Sequence, residues 1–149
     1  MLFSDDMKDL MNLFEKYSVQ YLLVGGFAVN YYGYVRTTMD IDVLIFPSKK
    51  NANQIILALK EFGFGSADIP GDYFSKEGCA IHLGVEPNRI DILTKLKDIS
   101  NKQIFNNSQK IQYDGLELNI ISKEDLLECK KKSSRLKDLA DAEELEKLL

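Results

Sequence analysis

A small mixed α/β domain with helices added at its C-terminal end is the fold class this sequence predicts. Three observations carry that reading. Apolar residues recur at helical spacing near both ends of the chain and in its middle. Between those stretches lie short runs rich in Val, Ile, Leu and Tyr, the composition of buried strands. Asp114-Gly115 separates two more such runs and is a strong hairpin signal. A chain of 149 residues suits one domain with a substantial core. The expected division is a core over about residues 20–95 and C-terminal helices over about 122–149.

Each element has its own signal. Ser4 can cap a helix whose first turn holds Asp5 and Asp6, and Met7, Leu10, Met11, Phe14 and Tyr17 share one face, so a helix is expected over 5–17. Tyr21 to Val24 reads as a short strand. Gly25-Gly26 turns the chain into a short helix over 27–32, which Gly33 ends. Residues 40–46 form a strand closed by Pro47. Ser48 caps a helix with Ile55, Ile56, Leu59 and Phe62 on one face, ended by Gly63. Residues 64–78 read as a loop, with a short strand near Tyr73-Phe74 as the alternative. Strands follow over 80–85 and 89–93, joined by Glu86-Pro87-Asn88, then a short helix near 101–106. The hairpin covers 110–113 and 116–121. Ser122 caps a helix to about Lys132, and Ser133 or Ser134 starts a last one.

Composition narrows the function. A net charge of −4 argues against general nucleic-acid affinity, which needs a basic face, though a local basic patch fits around a phosphate. Cys79 and Cys129 are isolated and His82 is the only histidine, a poor basis for zinc. The acidic start, Met1-Leu2-Phe3-Ser4-Asp5-Asp6, lacks a signal-peptide pattern, and the longest apolar run is far short of a membrane span. A cytoplasmic protein with reduced thiols and no membrane partner is the expectation.

The most informative residues are Asp40 and Asp42 in Asp40-Ile41-Asp42-Val43-Leu44-Ile45. On a strand, i and i+2 point to one face, so the two carboxylates stand side by side, their Cα atoms about 7 Å apart. They repel unless a cation or an arginine sits between them. Such a pair can hold hard divalent cations, and two Mg²⁺ about 3.5–4 Å apart serve in-line phosphoryl transfer. No Asn, Asp and Gly follow at EF-hand spacing, and a glycosyltransferase Asp-x-Asp usually sits in a longer chain. Asp91, one acid between Ile90 and Ile92, is the candidate third carboxylate, with an ion pair to Arg89 as the plain alternative. Asp68 and Asp72 are weaker candidates because they lie in a loop. Gly25 and Gly26 can approach a ligand closely, and free N–H groups at a helix start attract phosphate. Arg36 suits a phosphate or the two carboxylates. Thr37 and Thr38 can cap the turn. Lys130, Arg135 and Lys137 can reach a triphosphate, or can be a solvated charged face.

Gly-Gly, a short helix, Arg36-x-Thr38-x-Asp40-x-Asp42 and a distant Asp91 resemble the nucleotidyltransferase superfamily, which includes the polymerase-β-like and minimal nucleotidyltransferases. The resemblance covers about residues 20–95 and is closest to small bacterial members related to the AbiEii-type toxin nucleotidyltransferases; the tail, with Lys130 before Arg135-x-Lys137-Asp138-x-x-Asp141, is similar to the terminal segment common in them. Lincosamide-type antibiotic nucleotidyltransferases are more distant by pattern. Gly26 stands where larger relatives carry Ser, which removes a triphosphate-contacting hydroxyl. The resemblance implies a nucleotidyltransferase fold and transfer of NMP from an NTP to an acceptor hydroxyl. It implies Mg²⁺ or Mn²⁺ on Asp40, Asp42 and Asp91, with Asp91 also the general base. It implies nucleotide contacts from Gly25, Gly26, Arg36, Thr38, Lys130 and Lys137. His82 receives no role. The acceptor stays open: tRNA or a protein, as half of a toxin–antitoxin pair with a cognate partner, or a small molecule. A non-catalytic nucleotide- or partner-binding module is the third reading.

Overall fold

A computed structural model of the chain describes residues 3–34, 40–64, 69–84, 89–96 and 98–148. Six strands and six α-helices alternate through these residues. Helix α1 covers Asp5–Lys16 and takes its expected cap, with the Met7 amide donating to Ser4 Oγ at 3.2 Å. Strand β1 is Tyr21–Val24, and α2, Gly25–Tyr31, begins on the glycine pair itself, two residues earlier than expected. Strand β2 is Asp40–Ile45 and α3 is Lys49–Leu59. A wide helical turn, Lys60–Phe64, closes α3 where Gly63 takes φ 121°. Tyr73–Ser75 is a 3₁₀ turn, which corrects the alternative of a strand there; Phe74 is fully buried against the core and no ladder partner exists for it among the described residues.

The remaining elements are β3 (Ala80–Leu83), β4 (Arg89–Leu93), α4 (Asn101–Asn106), β5 (Gln109–Tyr113), β6 (Leu116–Ile120), α5 (Lys123–Lys131) and α6 (Leu136–Lys147). The hairpin turn between β5 and β6 forms as its sequence demands: Asp114 and Gly115 both take positive φ, at 49° and 77°.

The strands form one mixed sheet in the order β3-β4-β2-β1-β6-β5. Neighbours β2 and β4 are parallel, as are β1 and β6, and the other pairs are antiparallel. Burial explains the centre: Leu22, Leu23, Ile41, Val43, Leu44, Ile45 and Ile92 lose essentially all their solvent exposure. Helix α1 packs on α3, α2 packs on α5, and α5 carries α6. Buried polar side chains tie these parts together. Asn51 accepts from the Gln20 amide and donates to the carbonyls of Gln20 and Phe46, pinning α3 to β1 and β2. The Tyr32 hydroxyl donates to the Ile121 carbonyl at 2.6 Å, and Asp125 on α5 accepts from Gln103 and Asn107. No helix among the described residues is long and apolar enough to cross a membrane.

Strand register positions the site. Asp42 pairs with Val24 on β1 and with Asp91 on β4, Asp40 pairs with Arg89, and Asp91 pairs with His82 on β3. In-register neighbours and i, i+2 positions share a face. One face of β2, β4 and β3 therefore gathers Asp40, Asp42, Arg89, Asp91 and His82.

Candidate active site

These side chains open into a cleft of about 600 Å³, also lined by Gly25, Gly26, Leu93, Leu96, Lys130, Arg135 and Lys137. Gly25 sits where β1 becomes α2, next to the Val24–Asp42 pair, and takes φ +64°. A Cβ on Gly25 would stand 2.0 Å from Asp42 Oδ2. Glycine is therefore required twice, for the left-handed backbone and for the carboxylate packed against it. Helices α1, α3, α4 and α5 each receive a serine cap, whereas the start of α2 has no side-chain cap.

The acids are held in different ways. Asp91 is nearly buried, with Arg89 Nε 3.1 Å from its Oδ1 and Arg89 Nη2 3.1 Å from its Oδ2. The same Nη2 reaches Asp40 Oδ2 at 3.0 Å. The pairing of Asp91 with Arg89 is thus real, and it extends to Asp40. His82 Nδ1 lies 2.5 Å from Asp91 Oδ1 while its ring stays 63% exposed in the cleft. Asp42 forms no ion pair among the described residues. Burial, then the neighbouring Asp91 and Asp40 carboxylates, push the Asp42 carboxyl up to about 6, only partly offset by Lys130. The Cys129 thiol, also in the wall, is pushed up to about 12 by burial, which leaves it inert as a nucleophile.

The far wall comes from α5, α6 and their connection. Lys130 is buried and its Nζ lies 2.9 Å from Asp138 Oδ1 and 3.2 Å from Asp141 Oδ2. Asp138 also accepts from Ser133 Oγ at 2.7 Å and Arg135 Nε at 2.8 Å. Desolvation alone would raise the Asp138 carboxyl; hydrogen bonds from Lys130, Ser133 and Arg135 outweigh it and hold the group well below the usual carboxylate range. Two sequence expectations need correction here. Helix α6 starts after Arg135 rather than at Ser133 or Ser134, because Ser133 is engaged with Asp138 and with the Arg135 amide. The sequence of α6 also suggests docking through Leu136, Leu139 and Ala140, and the observed face is a different one. Leu136 is 85% exposed and Leu139 41% exposed, while Asp138, Asp141, Ala142 and Leu145 turn inward. The buried Lys130 ammonium draws the acids in and turns the leucines out.

Of the residues singled out from sequence, Asp40, Asp42, Asp91, Gly25, Gly26, Lys130 and Lys137 all line this one cleft. Arg36, Thr37 and Thr38, with Asp68, lie outside the described residues. Asp72 is away from the cleft, on an exposed turn. Sequence reasoning missed His82, whose approach to Asp91 depends on the β3–β4 register, and underrated Arg89, whose i, i+2 spacing from Asp91 was legible.

An all-oxygen set of carboxylates on paired strands suits a hard divalent cation, and the crowding that raises Asp42 is what such a cation relieves. The set is not assembled around a metal: among the described residues no three His, Cys, Asp or Glu side chains converge as a ready cage. Arg89 spans Asp40 and Asp91 instead.

A family model described as "Nucleotidyl transferase of unknown function (DUF2204)" matches residues 3–149. The chain belongs to this nucleotidyltransferase family. Solved structures share its fold. A Thermotoga maritima protein described as a nucleotidyltransferase matches at 17% identity with TM-score 0.63, covering 94% of this chain and 88% of that one. A lincosamide antibiotic adenylyltransferase, solved with lincomycin bound, matches at 17% identity with TM-score 0.57, covering 99% of both chains. An antigenic nucleotidyltransferase-like protein of Paracoccidioides brasiliensis matches at 16% identity with TM-score 0.59, covering 98% of this chain and 77% of that one. No curated protein matches the sequence. The mixed-sheet nucleotidyltransferase fold expected from sequence is therefore the observed one.

Proposed function

We propose that residues 1–149 act as one catalytic unit that transfers NMP from an NTP to the hydroxyl of a small molecule. The observation that carries this reading is the register of β2 and β4, which sets Asp42 beside Asp91 and next to the glycine turn. The acceptor oxygen attacks the α-phosphorus, the bond from that phosphorus to the bridging oxygen breaks, and pyrophosphate leaves. Asp40, Asp42 and Asp91 would hold two Mg²⁺ or Mn²⁺ ions, which would supply charge neutralisation on the phosphate oxygens and activation of the acceptor. The Asp91 carboxylate takes the acceptor proton, with His82 fixing its orientation at Oδ1. The uncapped amides at the start of α2, with Gly25 and Gly26, receive phosphate oxygens. Lys137, exposed on the opposite wall, adds positive charge to the triphosphate; for Arg36 and Thr38 a nucleotide contact is proposed from sequence alone. Lys130 acts indirectly, because its ammonium is occupied by Asp138 and Asp141. Placement of charge supplies most of the acceleration in such chemistry.

The small-molecule acceptor is favoured by the cleft itself. Its volume is that of a small-ligand pocket. Among the described residues its acids, Asp40, Asp42, Asp91 and Asp138, balance its bases, which does not favour RNA. Full-length likeness to an antibiotic adenylyltransferase supports the same direction. The toxin–antitoxin role and the AbiEii-type kinship rest on sequence pattern alone. Calorimetry tests the core of the reading. Wild type should bind NTP only with Mg²⁺ or Mn²⁺, and an Asp40→Ala, Asp42→Ala protein that remains folded should not. Equal metal-dependent affinity in both proteins rejects it. Incubation of cell extract with α-³²P-labelled NTP then sorts the acceptor: label in the small-molecule fraction supports this reading, and label on RNA or protein replaces it with the macromolecular one.

A further inference from the structure

We infer that Arg89 is a resident cation that occupies the carboxylate site and must leave it for a divalent metal to enter. The inference rests on the metal reading above and adds a device to it. The guanidinium is placed as a bridge. Its Nη2 donates to Asp91 Oδ2 at 3.1 Å and to Asp40 Oδ2 at 3.0 Å, and its Nε lies 3.1 Å from Asp91 Oδ1 as an ion pair. A guanidinium carries several N–H groups in one plane and so can bridge two carboxylates. Both acids are thereby turned toward a nitrogen centre, and their oxygens lie much farther from it than the roughly 2.1 Å that Mg²⁺ requires. An oxygen held by the guanidinium is a weaker ligand for a metal, so the two cations compete for this face.

Charge makes the exchange necessary. Asp40, Asp42 and Asp91 share one face of the sheet, and Arg89 bridges two of them. Without metal, the guanidinium offsets part of the negative charge on this face. With metal, the divalent ion replaces it, and the long, one-third exposed side chain at the start of β4 has open cleft into which to swing. Arg89 is therefore a positioning residue that stabilises the metal-free protein and weakens metal affinity.

The test uses the full chain and Mn²⁺ alone as the probe. Arg89→Gln should melt at a lower temperature than wild type in EDTA and bind Mn²⁺ at least several-fold more tightly by calorimetry. Arg89→Lys, which retains charge without the fork, should fall between the two, and it serves if Arg89→Gln does not fold. In wild type, the Arg89 Nε–H resonance should shift on titration with Mg²⁺ as the bridge opens. Mn²⁺ affinity in either folded variant equal to or weaker than wild type, or an Arg89 resonance that does not move while Mg²⁺ binds, overturns this inference and leaves the metal reading standing. Absence of Mn²⁺ binding in wild type and variants alike overturns both.

Discussion

Two groups of acids face each other across the cleft, and the fold treats them oppositely. On the helical wall, Asp138 and Asp141 are buried around Lys130, and Asp138 gains Ser133 and Arg135 as well. Its carboxyl is held low, so its charge adds stability. On the strand wall, Asp42 is half-buried beside Asp91 and Asp40, and its carboxyl is pushed up to about 6. Its charge costs stability. A satisfied cluster is scaffold; a crowded one is where the proposed cation would bring the larger gain. The same residue type therefore does two jobs, and the partners decide which.

The contrast breaks most sharply at Lys130. Lys130→Met keeps the stem but leaves Asp138 and Asp141 without the ammonium between them, and removal of one partner from a buried pair costs about 3–5 kcal/mol. Denaturant unfolding should register that loss, with α6 loosened first. A change under about 1 kcal/mol would make the helical cluster as dispensable as a surface pair.

Asp42→Asn should act in the other direction, and its pH dependence identifies the cause. The native carboxyl titrates near 6 and the unfolded one near 3.8, so between those values the folded protein holds the proton more tightly. Stability contributed by this group is complete below about 4 and is lost as pH rises to about 6. At about 1.4 kcal/mol per unit, Asp42→Asn should gain about 2–3 kcal/mol at pH 7.5 in EDTA and almost nothing at pH 4. For Asp138 the sign reverses: its contribution is present at neutral pH and is lost as pH falls below about 4. Unfolding curves of Asp42→Asn and wild type across pH 4–8 check this, and a pH-independent difference would contradict it.

Much of the strand wall is legible in the sequence. Asp40-x-Asp42 and the lone Asp91 have strand periodicity, and that spacing by itself puts Asp40 and Asp42 on a shared face. The glycine pair declares a turn, although not that Asp42 presses against Gly25. The helical wall is harder to read because apolar residues normally point inward. Leu136 and Leu139 instead face solvent, since Lys130, on a different helix, decides the orientation of α6. Contacts across strands, such as His82 with Asp91, follow from register, which one sequence does not specify.

The smallest stability effect belongs to Lys137, which is exposed on the helical wall yet lines the cleft. Lys137→Ala should change stability by less than about 0.5 kcal/mol. NTP affinity should fall several-fold, and its salt dependence should weaken with the lost charge. Binding identical to wild type at two salt concentrations would assign Lys137 to scaffold along with Lys130.

On the proposed function, the crowding of the strand wall is relieved when metal and nucleotide bind. Melting temperatures of wild type and Asp42→Asn at pH 7.5, first in EDTA and then in Mg²⁺ with a non-hydrolysable NTP, test it directly. Asp42→Asn should be the more stable protein in EDTA, and wild type the more stable with Mg²⁺ and nucleotide, because only its carboxylate converts crowding into binding. If the two proteins keep the same order and the same separation in both buffers, Asp42 is not part of a nucleotide site and the claim fails.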